Sequence, residues 1–142
     1  MKKKHYSYRE LFKRAQNAID ADYFLEASWI CSTIIEDRFV SILKQSGGNL
    51  LPNGKEIRMI GPKIIEINKR KATDMQLESV LYENILDEIS TWKDERNKLM
   101  HALAKNGSYD DFYKEIYLLG TNGIELAKKI STRARKLKKL KK

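Results

Sequence analysis

The two prolines of the chain, Pro52 and Pro62, stand close together, and four of its seven glycines (Gly47, Gly48, Gly54 and Gly61) crowd around them. On either side run long stretches with few breakers, and this distribution constrains the fold more than any other feature. A proline inside a helix costs about 3 kcal/mol, so the flanking stretches are open to helix where the middle is not. Apolar residues there recur at intervals of three and four, and no segment alternates apolar and polar residues for long. The expectation is an all-α fold, a bundle of four or five helices with its two long helices antiparallel.

The spacing predicts a first helix from about Tyr8 to Ala18, on Leu11, Phe12, Ala15, Ala18 and Ile19. A second follows from about Asp22 to Gln45, with a wide stripe of Tyr23, Ala27, Ile30 and Ile34 and, beside them, Phe24, Cys31, Ile35, Phe39 and Ile42. Ser46-Gly47-Gly48-Asn49 ends it, and residues 46–57 form a loop with a turn at Pro52-Asn53-Gly54. A short helix is expected from Lys63 to Lys71, with Pro62 at its start. Thr73 or Asp74 then caps a long helix from about Met75 to Lys105, striped by Leu77, Leu81, Ile85, Ile89, Trp92, Leu99 and Leu103. Asn106-Gly107-Ser108 closes it. The last helix runs from about Tyr109 to Leu140, with Asp110-Asp111 as its cap. Gly120 and Gly123 inside it either bend it or permit close packing.

A length of 142 residues fits one domain, taken as 1–142 with a basic extension at about 133–142. No apolar run approaches the roughly 20 residues that cross a bilayer. The lysines at Lys2, Lys3 and Lys4 are not followed by the apolar core of a signal peptide. The expected location is the cytoplasm, with no membrane partner. Cys31 is the single cysteine, so no disulfide forms within the chain, and its apolar neighbours suit a buried thiol better than a nucleophile. One cysteine and two distant histidines do not make a zinc site. The 19 acidic residues are scattered rather than convergent, so no metal or other cofactor is implied.

The net charge of +9 is unevenly placed. Lys2, Lys3 and Lys4 sit at one end. Arg133, Arg135, Lys136, Lys138, Lys139, Lys141 and Lys142 sit at the other, with no acid among them. These bases outweigh the whole net charge, so residues 5–132 are close to neutral. A basic end attracts polyanions, RNA among them, and Arg133, Arg135, Lys136, Lys138 and Lys139 are the candidate RNA-binding residues. The same tail also reads as a solvated helix end whose lysines suit the helix dipole.

Histidine is the side chain best suited to proton transfer near neutral pH. His5 lies in the basic arm, and His101 lies near the end of the long helix, five residues after Arg96. An arginine that binds a phosphate and a histidine that moves a proton suffice for cleaving RNA, which carries its own 2′-hydroxyl nucleophile. Arg96 falls within the apolar stripe between Trp92 and Leu99, an unusual place for a solvated charge. Asn97 and His101 share a face. Arg96 and His101 lie about 140° apart on an ideal helix. Joining them at one phosphate requires a distorted helix, a long reach by the arginine, or a second chain. The competing reading is structural: Arg96 paired inside the core with Glu36 or Asp37, and His101 a polar helix-end residue.

The run Arg96-Asn97-Lys98-Leu99-Met100-His101 resembles the arginine–histidine motif of the HEPN superfamily, in the form where asparagine follows the arginine. The motif lies late on a long helix after Trp92, with one long helix following and another near the N-terminus. This order also resembles the family. The resemblance implies a metal-independent endoribonuclease that works as a homodimer, often a toxin with a cognate antitoxin or other partner protein, or a part of phage defence. It assigns phosphate stabilisation to Arg96, acid–base work to His101 and a shaping polar role to Asn97. Leu103 stands where the branch paired with nucleotidyltransferases carries tyrosine, which sets the chain apart from that branch. Other members are inactive and bind RNA, a nucleotide or a partner protein, and this is the alternative function. A third reading is an antitoxin-like or purely structural bundle. Tyr109, Tyr113 and Tyr117 recur every four residues and read as packing or interface residues, with base stacking as the alternative.

Overall fold

The computed structural model describes residues 7–142. Lys2, Lys3, Lys4 and His5, named above, lie outside the described residues. The described residues form six α-helices: α1 (Tyr8–Asp20), α2 (Phe24–Gln45), α3 (Ile60–Lys71), α4 (Met75–Val80), α5 (Ile85–Lys105) and α6 (Tyr113–Leu140). A 3-10 turn at Asp110–Phe112 precedes α6. Among the described residues the one piece of β pairing is an isolated antiparallel bridge, Leu50 with Glu56, in the proline- and glycine-rich loop. No helix among them is long and apolar enough to cross a membrane.

The chain is all-helical as expected, with six helices rather than four or five, because the expected helix at 75–105 is two. Glu83 and Asn84 both take positive φ, 63° and 56°, which breaks the helical path between α4 and α5. The spacing of Leu77, Leu81 and Ile85 runs through the break, and all three are buried. Asp74 caps α4 by accepting from the Leu77 N–H at 3.0 Å. The carbonyls freed at the break are claimed by Arg133, whose Nη1 donates to Val80 O and to Tyr82 O at 3.2 Å each. α3 starts three residues earlier than the sequence suggests, with Pro62 inside its first turn, where no N–H is required. Asp111 accepts from the Ser108 N–H and so orders the turn ahead of α6.

The centre of the fold is the pairing of α2 with α6, the two longest helices. They run parallel: Phe24 meets Gly120, Cys31 meets Gly123, and Arg38 meets Ser131. α5 and α6, which cover the two longest helices expected from the sequence, are antiparallel as expected. There Trp92 Nε1 donates to Leu119 O at 2.9 Å, and Glu88 pairs with Lys129 at 3.5 Å. Gly120 and Gly123 serve close packing, since a Cβ at Gly123 would stand 2.9 Å from the Trp92 ring. Cys31 is fully buried, and burial pushes its thiol up to about 12. Arg38 is buried, stacks over Tyr8 at 3.5 Å and donates from Nε to Ser131 at 3.0 Å. The Tyr109, Tyr113 and Tyr117 ladder packs at the start of α6. Phe24 meets Tyr113 and Tyr117 edge-on, and the Tyr109 hydroxyl donates to Asp22 O.

Candidate functional site

Three elements converge around Arg96. The face of α2 that carries Trp29, Ser32, Thr33 and Glu36 follows helical spacing. Lys93, Arg96 and Asn97 come from α5, and residues 59–62 from the start of α3. Together they line an open cleft of about 420 Å³.

Arg96 is half-buried. Its Nη1 reaches Ser32 Oγ at 3.5 Å, a long contact, and its Nε is buried with no acceptor. Among the described residues it has no carboxylate partner. The two acids that a structural pairing would have used are engaged elsewhere: Glu36 lies 3.5 Å from the buried Lys63, and Asp37 accepts from the Tyr8 hydroxyl. That bond, together with burial, pushes Tyr8 up to about 12, burial being the larger cause. Arg96 therefore holds a positive charge at the cleft wall without the compensation that a buried guanidinium ordinarily finds. Lys93 adds a second cation, tied on its outer side to Asp94 at 3.2 Å.

At the α3 end of the cleft the one carboxylate is Glu36, which lies against Lys63 of the first turn. The first turn of α3 has no acidic residue, and no side chain caps it. Its unpaired N–H groups and the helix dipole favour an anion there. Met59, which precedes the helix, has φ 70° and ψ 155°, a conformation that is essentially glycine's alone. Gly61 is pressed against the Lys93 ammonium, 3.2 Å from where a Cβ would stand. Glu36 is the one acid in the lining.

His101 is exposed and lies outside the cleft lining. α5 is continuous α-helix from Ile85 to Lys105, so no distortion turns His101 toward Arg96. On a regular helix His101 stands about 140° from Arg96, but only about 40° beyond Asn97 and about 6 Å further along the axis. The structure thus brings Arg96 and Asn97 together, with Lys93 between them in azimuth, and leaves His101 past the Asn97 edge.

The candidate RNA-binding residues of the last helix divide. Arg133 is turned inward: it is 6% exposed, stacks over Tyr82 at 3.4 Å and lies 3.9 Å from Glu83. It belongs to the α4–α5 break and not to an exposed basic surface. Lys136 donates to the Tyr82 hydroxyl at 3.2 Å, and Arg135 to Thr132 Oγ1 at 3.3 Å. Arg135, Lys136, Lys138 and Lys139 are all exposed. Lys141 is held by Asp74 at 2.8 Å. Sequence reasoning did not single out Trp29, Ser32 or Lys93. The polar members of the Trp29–Ser32–Thr33–Glu36 face were the available signal. Among the described residues no group of three histidine, cysteine or carboxylate side chains is arranged to hold a metal. Compared with protein-family models, curated proteins and solved structures, the chain matches none.

Proposed function

We propose that the chain is a metal-independent endoribonuclease of the HEPN type. In this reading the Arg96 guanidinium binds the scissile phosphate and stabilises the charge that develops on it. His101 takes the proton from the 2′-hydroxyl or delivers one to the leaving 5′-oxygen. Asn97, between them on the helix surface, orients the phosphate or the ribose. The 2′-oxygen forms its bond to phosphorus as the bond to the 5′-oxygen breaks, so water is not consumed in this step.

One observation carries the reading: Arg96 lines an open cleft and pairs with no carboxylate among the described residues, the cleft's one acid, Glu36, lying against Lys63. A structural arginine in an apolar stripe would be paired, and this one offers its charge to a ligand. The angular gap between Arg96 and His101 is closed in this proposal by a second copy of the chain, whose own motif faces the first across a shared cleft. The product of such an activity suits a toxin or a phage-defence role, in the cytoplasm, with a cognate antitoxin or other partner protein restraining it.

The continuous α5 helix also favours a second reading, a module that binds RNA or a nucleotide at Arg96 without cleaving it. Incubating the purified protein with mixed cellular RNA in EDTA separates the two. Cleavage that disappears in both Arg96→Ala and His101→Ala supports the ribonuclease. A folded wild type that binds RNA without cleaving it selects the binding module.

A further inference from the structure

The cleft beside Arg96 has an aromatic wall that the chemistry of cleavage does not use. Trp29 is 70% exposed although it sits in the most apolar helix of the chain. Its ring lines the same polar cleft as Arg96 and Lys93, where its face is open to stack on a ligand. It stands one helical turn before Ser32, the residue that Arg96 approaches. That spacing, about 4.5 Å along the axis, puts the indole beside the residue that Arg96 approaches. Lys93 and Arg96 of α5 and the uncapped start of α3 line the same cleft.

We propose that this cleft holds one unpaired nucleotide of single-stranded RNA. Its phosphate lies on Arg96 and Lys93, and its base is stacked on Trp29. This inference rests on the reading of Arg96 as a phosphate-binding residue and adds Trp29 as the residue that holds the base. A base reaches the Trp29 ring only when it has left a duplex, so the preferred substrate is unpaired. Stacking on an indole is open to every base, so the site selects single strands without strong sequence preference. Glu36, one turn beyond Ser32, is offset by Lys63 at 3.5 Å, so Arg96 and Lys93 remain the cations open to a phosphate.

The test uses the full chain carrying His101→Ala, so that RNA persists during titration. A mixed-sequence single-stranded oligoribonucleotide and the duplex of the same sequence are the probes. The single strand should quench the emission of exposed Trp29, while buried Trp92 keeps its own signal. Trp29→Ala should weaken single-strand binding roughly 5- to 100-fold and leave the melting temperature nearly unchanged. Trp29→Phe should recover part of the loss. Undiminished affinity in Trp29→Ala, or duplex bound as tightly as the single strand, overturns the inference. So does a change of oligomeric state in Trp29→Ala at constant RNA affinity, which would assign the ring to a contact between copies. Cleavage that needs Arg96 and His101 but ignores Trp29 would sink this inference alone. Trp29-dependent binding without cleavage by the wild type would uphold it and sink the ribonuclease.

Discussion

The indole of Trp92 packs against Gly123, so that a Cβ at that glycine would stand 2.9 Å from the Trp92 Cζ2 and 3.2 Å from the Cys31 Cβ. Three helices meet at this point, α2, α5 and α6, and none of the facing atoms is the end of a flexible chain. Gly123→Ala gains about 1 kcal/mol of helix propensity, against overpacking of about 1–3 kcal/mol. The expected result is net destabilisation, read as a lower melting temperature and a lower denaturant midpoint. An unchanged or raised midpoint would show that α6 shifts to make room.

Arg96 should behave unlike a structural residue. Its Nε is buried without an acceptor, and its longest reach ends 3.5 Å from Ser32. Arg96→Met keeps the stem and removes an uncompensated charge, so stability should hold or rise. RNA cleavage, or RNA binding in the His101→Ala background, should fall by at least tenfold. Thermal melts beside cleavage assays check this, and a melting temperature lowered in step with activity would return Arg96 to a structural role.

The basic end of α6 should separate into two kinds of residue. Arg133→Ala removes two hydrogen bonds to backbone carbonyls and the stack on Tyr82. Its effect should be on stability, on the order of 2–3 kcal/mol. Lys138→Ala with Lys139→Ala should leave stability unchanged and weaken RNA binding. The slope of log affinity against log salt should then fall by up to about 1.4, the value for two phosphate contacts on a single strand. Titrations at several salt concentrations decide it, and an unchanged slope would remove the tail from the RNA interface.

Asp74 links acid stability to the end of α6. A hydrogen bond from Lys141, then the Leu77 N–H, holds its carboxyl below the ordinary 3.8. Because the folded value lies below the unfolded one, its contribution is present above the unfolded pKa and is lost as pH falls through the folded value. Asp74→Ala should therefore cost about 1 kcal/mol at neutral pH, and the difference should close at strongly acid pH. Denaturant melts at pH 7 and below pH 3 provide the check, and a gap that persists in acid would assign the effect to something other than this carboxylate.

Much of the helical layout was legible because it depends on local spacing. The Phe24–Gln45 helix and its stops are written in the stripe and in Gly47-Gly48. The break at Glu83 and Asn84 was hidden because Leu77, Leu81 and Ile85 keep a spacing of four across it, while the backbone turn lies between them. Arg133 was read with the lysines that follow it. Its spacing from Ile130 and Leu137, both buried, placed it on the core face and was the signal that went unused. At the candidate site, Arg96 in the apolar stripe was visible. The wall opposite was not, since which side of α2 stays open depends on where the loop delivers α3, and no local pattern records that.

The parallel pairing of α2 with α6 has a consequence for the birth of the protein. Arg38 and Ser131 are 93 residues apart, and almost every other helix is made between them. A nascent chain emerging from the ribosome carries α2 with its broadest apolar face unsheltered until α6 arrives, and the long loop this closes slows the search. The central pairing of the fold is therefore completed only after both ends of that 93-residue interval have been made, and every helix laid down between them waits on it.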